Sequence, residues 1–388
     1  MEFGTWYQIN CETEDTWRDD FARIRDTGFD FVVLWNMPSY RPGTWEGDVT
    51  QVVHQSAKTL RALDEVGRAG LRASLGVWHP YCIGRVPANH RLRWADGAQG
   101  DGPNIFNEQW IRRRWLPYVR KAAKRFAGHR AYRGLYFDDT FPVLPSRTGS
   151  YLSYAPADVR RFQAWLRRRY LGIENLNMRL KLSKGYRSFE AVRPPRSPQQ
   201  CLALWTDWTD ARAEWCEDFA RLTCEAYRTV DGNAAHELVL SDQDYHMHCS
   251  PLQYGVDYRR LVRHFDRFEI YMAADHTRVT RPMLLADVRR VVDRGLEIAG
   301  GKPFQFHTWF ADPVGYRPMR PALLRAMVEC AMERGAQVIE VYTFKVHDWR
   351  LGPVRGRTAD GLPCFREVSL KHNPRMLRCL QDLISRAR

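Results

Sequence analysis

The sequence predicts an α/β fold: a single (β/α)8 TIM barrel with a long helical insertion after its fourth strand. Three observations carry that prediction. Eight short β-rich runs alternate with amphipathic stretches along the 388 residues, and strand–helix alternation implies a parallel sheet. No Gly-x-Gly-x-x-Gly follows the first run, which leaves a dinucleotide-binding open sheet without support. No internal repeat, low-complexity tail or separating linker is visible, so residues 1–388 read as one domain. That length is ordinary for a barrel with long loops.

The first run is Thr5 to Asn10, followed by a helix from Asp15 to Asp26. The second, Phe29 to Asn36, precedes a helix from Val52 to Ala69 that stops at Gly70, a glycine C-terminal signal. The third, Leu71 to His79, leads through a Gly-, Asp- and Asn-rich loop to a helix from Glu108 to Phe126. The fourth is Tyr132 to Asp138. After it comes the insertion, residues 145–232: a helix from Pro156 to Tyr170, a turn at Ile173 to Leu176, a Pro-rich loop and a long helix ending near Val230. Phe162, Trp165, Leu166 and Tyr170 keep the i, i+3, i+4 rhythm of a buried helix face. The remaining strands are Glu237 to Ser241, Phe268 to Ala273, Pro303 to Trp309 and Gln337 to Phe344. Helices at Arg281 to Ile298 and Pro321 to Arg334 separate the last three, and Asn373 to Ser385 closes the ring.

Composition sets further bounds. Hydrophobic residues make up 44% of the chain, enough for a large core. No apolar run reaches the roughly 18 residues of a membrane span. The N-terminus shows no basic region leading into an apolar stretch, so a cytoplasmic location is expected, or a secreted one if a leader has been trimmed. The nine cysteines are odd in number and contain no Cys-x-x-Cys. They read as buried thiols rather than a disulfide scaffold or zinc ribbon. The net charge of +14 has two readings. Solvated helix faces account for it alone; the other reading is attraction to a polyanion, an acidic glycan or a nucleic acid. The arginines cluster in helical stretches such as Arg112-Arg113-Arg114 and Arg167-Arg168-Arg169. In a barrel these form the outer ring, which counts against nucleic acid. A homo-oligomer stays open.

Barrel chemistry sits at the C-terminal ends of the strands. Those ends carry Asn10; Trp35 and Asn36; Trp78 and His79; Asp138 and Asp139; Asp242 and Asp244; Glu269 and Tyr271; His307 and Trp309; Glu340 and Tyr342. Aromatic rings stack on the apolar faces of sugar rings, while carboxylates, Asn and His bind hydroxyls, so the mixture points to a carbohydrate. Glycoside cleavage needs two carboxyl groups. Asp138 and Asp139 directly follow the apolar run Leu135-Tyr136-Phe137 and lead the list of candidates; as strand neighbours they point to opposite sides. Asp242 and Asp244 share parity and could both face the pocket. Glu269 sits earlier in its strand, where a buried, paired, structural carboxylate is the competing reading, as it is for Glu340; His307 is divided between substrate ligand and satisfied core histidine. His246-x-His248 has the spacing of a metal pair, but strand one offers Gln8, Asn10 and Cys11 and no matching ligands. No metal or other cofactor is expected.

Several stretches resemble glycoside hydrolase family 42, the β-galactosidase-like enzymes. Trp17 to Phe29 resembles that family's first helix leading into strand two. Tyr154 to Val159, Phe162 to Tyr170 and Ile173 to Asn177 resemble its helix-and-turn insert after strand four. Tyr186 to Phe189 and Pro194-Pro195 continue the pattern. The resemblance implies a barrel fold and a sugar ligand. It also implies a strand-four Asn-Glu bearing the acid/base and a nucleophilic Glu ending strand seven. Here Asp138-Asp139 stand in the first place, and Gln305-Phe306-His307-Thr308-Trp309 brings no carboxylate to the second. Three mechanisms are consistent with this. Asp139 acts as acid with Asp242 or Asp244 as base in an inverting hydrolysis; or Asp139 is the nucleophile and a strand-five or strand-six carboxylate the acid/base; or hydrolysis is lost and the barrel binds glycans or does lyase or transferase chemistry.

Overall fold

A computed structural model describes residues 1–9, 14–35, 56–77, 87–137, 154–182, 184–243, 255–272, 279–310, 318–345 and 369–388. Eight parallel strands close into a barrel: β1 (Glu2–Gln8), β2 (Phe31–Trp35), β3 (Arg72–Val77), β4 (Tyr132–Phe137), β5 (Glu237–Gln243), β6 (Arg267–Met272), β7 (Phe304–Trp309) and β8 (Val338–Lys345). Each strand pairs with its sequence neighbours, and β8 closes on β1 with Glu2 opposite Val338 and Gly4 opposite Glu340.

The outer ring contains α1 (Trp17–Thr27), α2 (Ser56–Arg68), α3 (Leu116–Phe126), α4 (Pro156–Tyr170), α5 (Ile173–Leu180), α6 (Leu202–Arg228), α7 (Arg281–Ala299), α8 (Pro321–Glu333) and α9 (Pro374–Ala387). Three of these, α4 to α6, lie between β4 and β5. On α4, Phe162, Trp165 and Leu166 are buried and Phe162 packs edge-on against Trp208 of α6. The turn expected at Ile173 is a two-turn helix. An antiparallel hairpin, Arg91–Arg93 with Gln99–Pro103, occupies part of the loop expected after the third strand; its Asp96-Gly97 turn is the sequence signal that a Gly- and Asp-rich reading passed over. Between β5 and β6 the described residues contain only a helix of four residues, Tyr258–Leu261, and a following 3-10 turn.

Alternation along the strands divides the apolar residues into two sets. One large cluster fills the layer between strands and helices and includes Leu34, Leu75, Leu135, Leu240, Ile270, Phe306 and Val341. A smaller cluster fills the barrel itself: Trp6, Phe31, Val33, Trp35, Tyr136, Val239 and Val338. The lower end of the barrel is closed by ions. Arg133 meets Glu2 at 2.5 Å and Glu237 at 3.0 Å, and Arg267 meets the same two carboxylates at 3.0 and 2.8 Å. Two guanidiniums against two carboxylates leave no net charge at this end, and Arg133 also lies 4.1 Å over the Phe31 ring. Burial by itself would raise the Glu2 carboxyl pKa; the two guanidiniums outweigh it and hold it below its usual value.

Two glycines make this interior possible. Gly76 lets Trp35 into the barrel, because a Cβ there would lie 1.9 Å from the indole ring. Gly134 stands at φ +137°, where β4 shifts register against β3, and a Cβ on it would lie 1.8 Å from the Glu237 carbonyl oxygen. That clash is with backbone and cannot relax by a side-chain rotation. Gly134→Ala is therefore expected to prevent accumulation of soluble folded protein. Gly128→Ala, where nothing lies within 4 Å of the new methyl, should leave the melting temperature within a few degrees of the parent (~0.5 kcal/mol or less for a featureless surface site). Comparing the two by circular dichroism tests the assignment.

Candidate functional site

The interior polar residues rise in order along the barrel axis. Above the ion square, Arg267 on β6 reaches Gln305 Oε1 on β7 at 3.2 Å. The Gln305 amide then donates to two carboxylates, Glu269 on β6 and Glu340 on β8, the latter at 2.6 Å. Glu269 collects three more donors: the Tyr136 hydroxyl from β4, Ser241 Oγ from β5 at 2.8 Å, and His307 Nδ1 from β7 at 2.9 Å. Four donors from three strands are the load of an ionised carboxylate, which only accepts. Burial, with Glu269 and Glu340 adding to it, pushes the Tyr136 hydroxyl well above its usual pKa, so it remains a donor.

Glu340 is the second carboxyl group in the cluster. Its Oε1 lies 3.4 Å from His307 Nδ1 and makes no hydrogen bond among the described residues. Burial and then the neighbouring Glu269 raise its pKa well above the ordinary carboxylate value. One proton on Glu340 relieves the repulsion between two enclosed acids. Glu269, His307 and Glu340 each bring a ligand atom within 4.8 Å of the others. This is the set of described residues that could hold a metal ion. The His307 Nδ1–Glu269 contact is equally a hydrogen bond of ordinary length, and the four donors around Glu269 fit that reading.

Aromatic rings cover this cluster. Trp6 packs on Trp35 at 4.8 Å between centroids, on Tyr136 at 5.1 Å and on His307 at 5.4 Å. Tyr271 lies 4.5 Å from the His307 ring, and Trp309 meets Tyr342 edge-on at 5.4 Å. Tyr271, Trp309 and Tyr342 are half-buried, whereas Trp6 and Trp35 are buried. The interior is thus closed below and aromatic above, and its partly open end is the C-terminal end of the strands.

The sequence candidates divide accordingly. Tyr271, His307, Trp309 and Tyr342 converge on the axis beneath the C-terminal end. Trp35 is in the same cluster but enclosed beside Gly76. Glu269 is on the axis with no exposed surface, in the paired, buried setting that competed with a catalytic one. Asp242 is buried on the other side of β5: Ser241 faces Glu269, so alternation turns Asp242 outward, level with Ile270 of β6. The expectation that Asp242 faces the pocket does not hold in this geometry, because its neighbour takes the inward position. Asn10, Asn36, Trp78, His79, Asp138, Asp139 and Asp244 lie outside the described residues, as do His246 and His248. The sequence reading missed Trp6, Tyr136, Ser241, Gln305, Arg133 and Arg267. Their signal was parity: each sits an even step along its strand from an interior residue, apart from the register shift at Gly134.

What this arrangement defines is a closed (β/α)8 barrel whose functional end is an aromatic C-terminal mouth. The chain belongs to glycoside hydrolase family 42: that family's sequence model, described as beta-galactosidase, matches residues 96–346. No curated protein matches the sequence. Among solved structures, the β-galactosidase of the psychrophilic Marinomonas ef1 is similar over 100% of this chain and 59% of its own, with 15% identity and a TM-score of 0.72. The β-galactosidase of the haloarchaeon Halorubrum lacusprofundi is similar over 99% of this chain and 58% of its own, with 16% identity and a TM-score of 0.72. The catalytic domain of β-amylase from Paenibacillus polymyxa is similar over 100% of this chain and 98% of its own, with 11% identity and a TM-score of 0.66. At these identities the likeness shows the shared barrel, and the chain spans less than two thirds of either β-galactosidase. No helix among the described residues is long and apolar enough to cross a membrane.

The raised pKa of Glu340 has a consequence for stability. Unfolded, Glu340 ionises near 4.5; folded, it keeps its proton to higher pH. The unfolded state therefore binds fewer protons above 4.5, and this residue lowers stability as pH rises, by about 1.4 kcal/mol per unit, until its folded pKa is passed. Glu340→Gln removes the titration. The variant should equal the parent in urea midpoint near pH 4 and exceed it increasingly from pH 5 to 7. A gap between the two that shrinks as pH rises would contradict a protonated Glu340.

Proposed function

We propose that the chain is a glycoside hydrolase that cleaves a glycosidic bond in an oligosaccharide or polysaccharide, using a pair of carboxylates at the C-terminal face of the barrel and no cofactor. Membership of glycoside hydrolase family 42 carries the reading. The half-buried Tyr271, Trp309 and Tyr342 support it, since they offer flat apolar faces at the end of the barrel where substrate enters. Asp138 and Asp139 follow β4 directly in the chain and are the acids of first choice, with Asp244 as a third. Glu269 and Asp242 are less suited. The first is enclosed and saturated with donors, and the second is turned to the helix layer. Separation of the working pair then sets the stereochemistry, roughly 5–5.5 Å for retention and 6.5–9.5 Å for inversion.

β-Galactosides come first among substrates because the family model is described by that activity. An acidic glycan is the alternative that the charge of +14 favours. A second reading, a glycan-binding barrel without hydrolysis, draws on one observation: the inward positions of β7 are Gln305, His307 and Trp309, none of them an acid.

The test is release of nitrophenol from a panel of nitrophenyl glycosides, β-galactoside included, followed by Asp138→Asn and Asp139→Asn. Removing a reacting acid should lower kcat by about a thousandfold or more, on the scale of a lost catalytic group, with the far-ultraviolet dichroism unchanged. A variant with nearly normal turnover takes its residue out of the mechanism. Glycan binding without product would support the second reading.

A further inference from the structure

We propose that Glu269 and His307 act as a dyad, in which Glu269 holds the His307 Nδ1 proton so that Nε2 accepts a hydrogen bond from a substrate hydroxyl. The substrate part rests on the glycosidase reading above; the dyad part does not. Glu269 is fixed by Tyr136, Ser241 and Gln305 as well as by His307. With three other donors in place, its oxygens have acceptor capacity only, and His307 must supply the proton at Nδ1. Glu340, the other group near Nδ1, stands farther off, at 3.4 Å against 2.9 Å for Glu269 Oε1, so it does not compete as the anchor.

A neutral imidazole donating through Nδ1 presents a lone pair at Nε2. That atom is enclosed and has no hydrogen-bond partner among the described residues. The His307 ring is flanked by Tyr271 at 4.5 Å, Trp6 at 5.4 Å and Tyr342 at 5.9 Å. Two of these three, Tyr271 and Tyr342, are half-buried. The other polar atoms of His307 and Glu269 are already engaged, so Nε2 is the atom of this dyad left to meet a ligand. An orphaned buried acceptor is costly until a donor reaches it. The group it selects is a neutral donor, a sugar hydroxyl rather than a carboxylate or phosphate. His307 is then a specificity-determining residue and Glu269 a positioning residue.

Two measurements decide this. Nitrogen-15 NMR of histidine-labelled protein, with the His307 signals identified by their loss in His307→Phe, should show a neutral ring protonated at Nδ1 and bare at Nε2. Glu269→Gln, whose amide can donate toward Nδ1, should shift the ring to the other tautomer, and Glu269→Asp should restore the first. A parent ring protonated at Nε2, or lacking the Nδ1 proton because a metal takes its place, overturns the dyad. The second measurement compares nitrophenyl galactoside with its 2-, 3-, 4- and 6-deoxy derivatives. One deoxy substrate should cost the parent about tenfold in kcat/KM, the scale of one hydrogen bond, and cost His307→Phe nothing further. Equal penalties in both proteins for every derivative overturn the hydroxyl contact. If His307→Phe does not fold, the signals are identified by through-bond assignment in the parent. A parent inert toward all glycosides removes the function and the hydroxyl contact together, while the tautomer still decides the dyad.

Discussion

The barrel interior depends on the carboxylate of Glu269 being supplied with donors from β4, β5 and β7 at once. A bare carboxylate in an enclosed space costs several kcal/mol, and only a complete set of donors offsets it. Tyr136, Ser241, Gln305 and His307 form that set. Each is placed by strand register: Ser241 lies beside Glu269 and Glu269 beside Gln305 across adjacent strands. A slip of one residue in any of these strands would reverse every side chain on it and leave the acid unpaired. The cluster therefore penalises wrong register as well as contributing to the right one.

Charge is layered along the axis with the same logic. The lowest layer pairs two arginines with two glutamates, both glutamates partly reaching solvent. Gln305, neutral and able to accept from Arg267 while donating to both upper acids, separates that layer from the next. Above it, the two acids Glu269 and Glu340 flank His307, and among the described residues the layer above them is aromatic. Among the described residues polarity falls toward the mouth until Tyr271, Trp309 and Tyr342, which lie above the imidazole. That order suits a molecule with flat C–H surfaces and hydroxyl edges.

Much of the fold was legible in the sequence because a barrel is written twice, in the alternation of strands with helices and in the apolar runs of each strand. The runs at Phe31, Tyr132 and Phe304 needed no tertiary information. The interior was harder to read. Glu269, Gln305 and Glu340 look like interruptions of apolar strands until parity places them on one axis, and parity around β4 is broken by the register shift at Gly134, which hid Arg133. Asp242 was misread for a related reason. Its spacing from Asp244 says that the two share a face, but not which face, and only the Ser241–Glu269 bond decides it. Trp35 likewise reads as a rim aromatic from its place at a strand end; the missing side chain at Gly76 on the adjacent strand lets it sink into the barrel.

The inward positions of β7 connect this interior to specificity. Gln305, His307 and Trp309 occupy successive levels, joining in turn the polar cluster, the imidazole beneath the mouth and the aromatic end of the barrel. Because Gln305 is tied to both acids and His307 to Glu269, neither can rotate without unpairing a buried charge. Trp309 and Tyr342 are the less enclosed partners. Rigidity therefore increases with depth, and the group best placed to discriminate among hydroxyls is the one that cannot move.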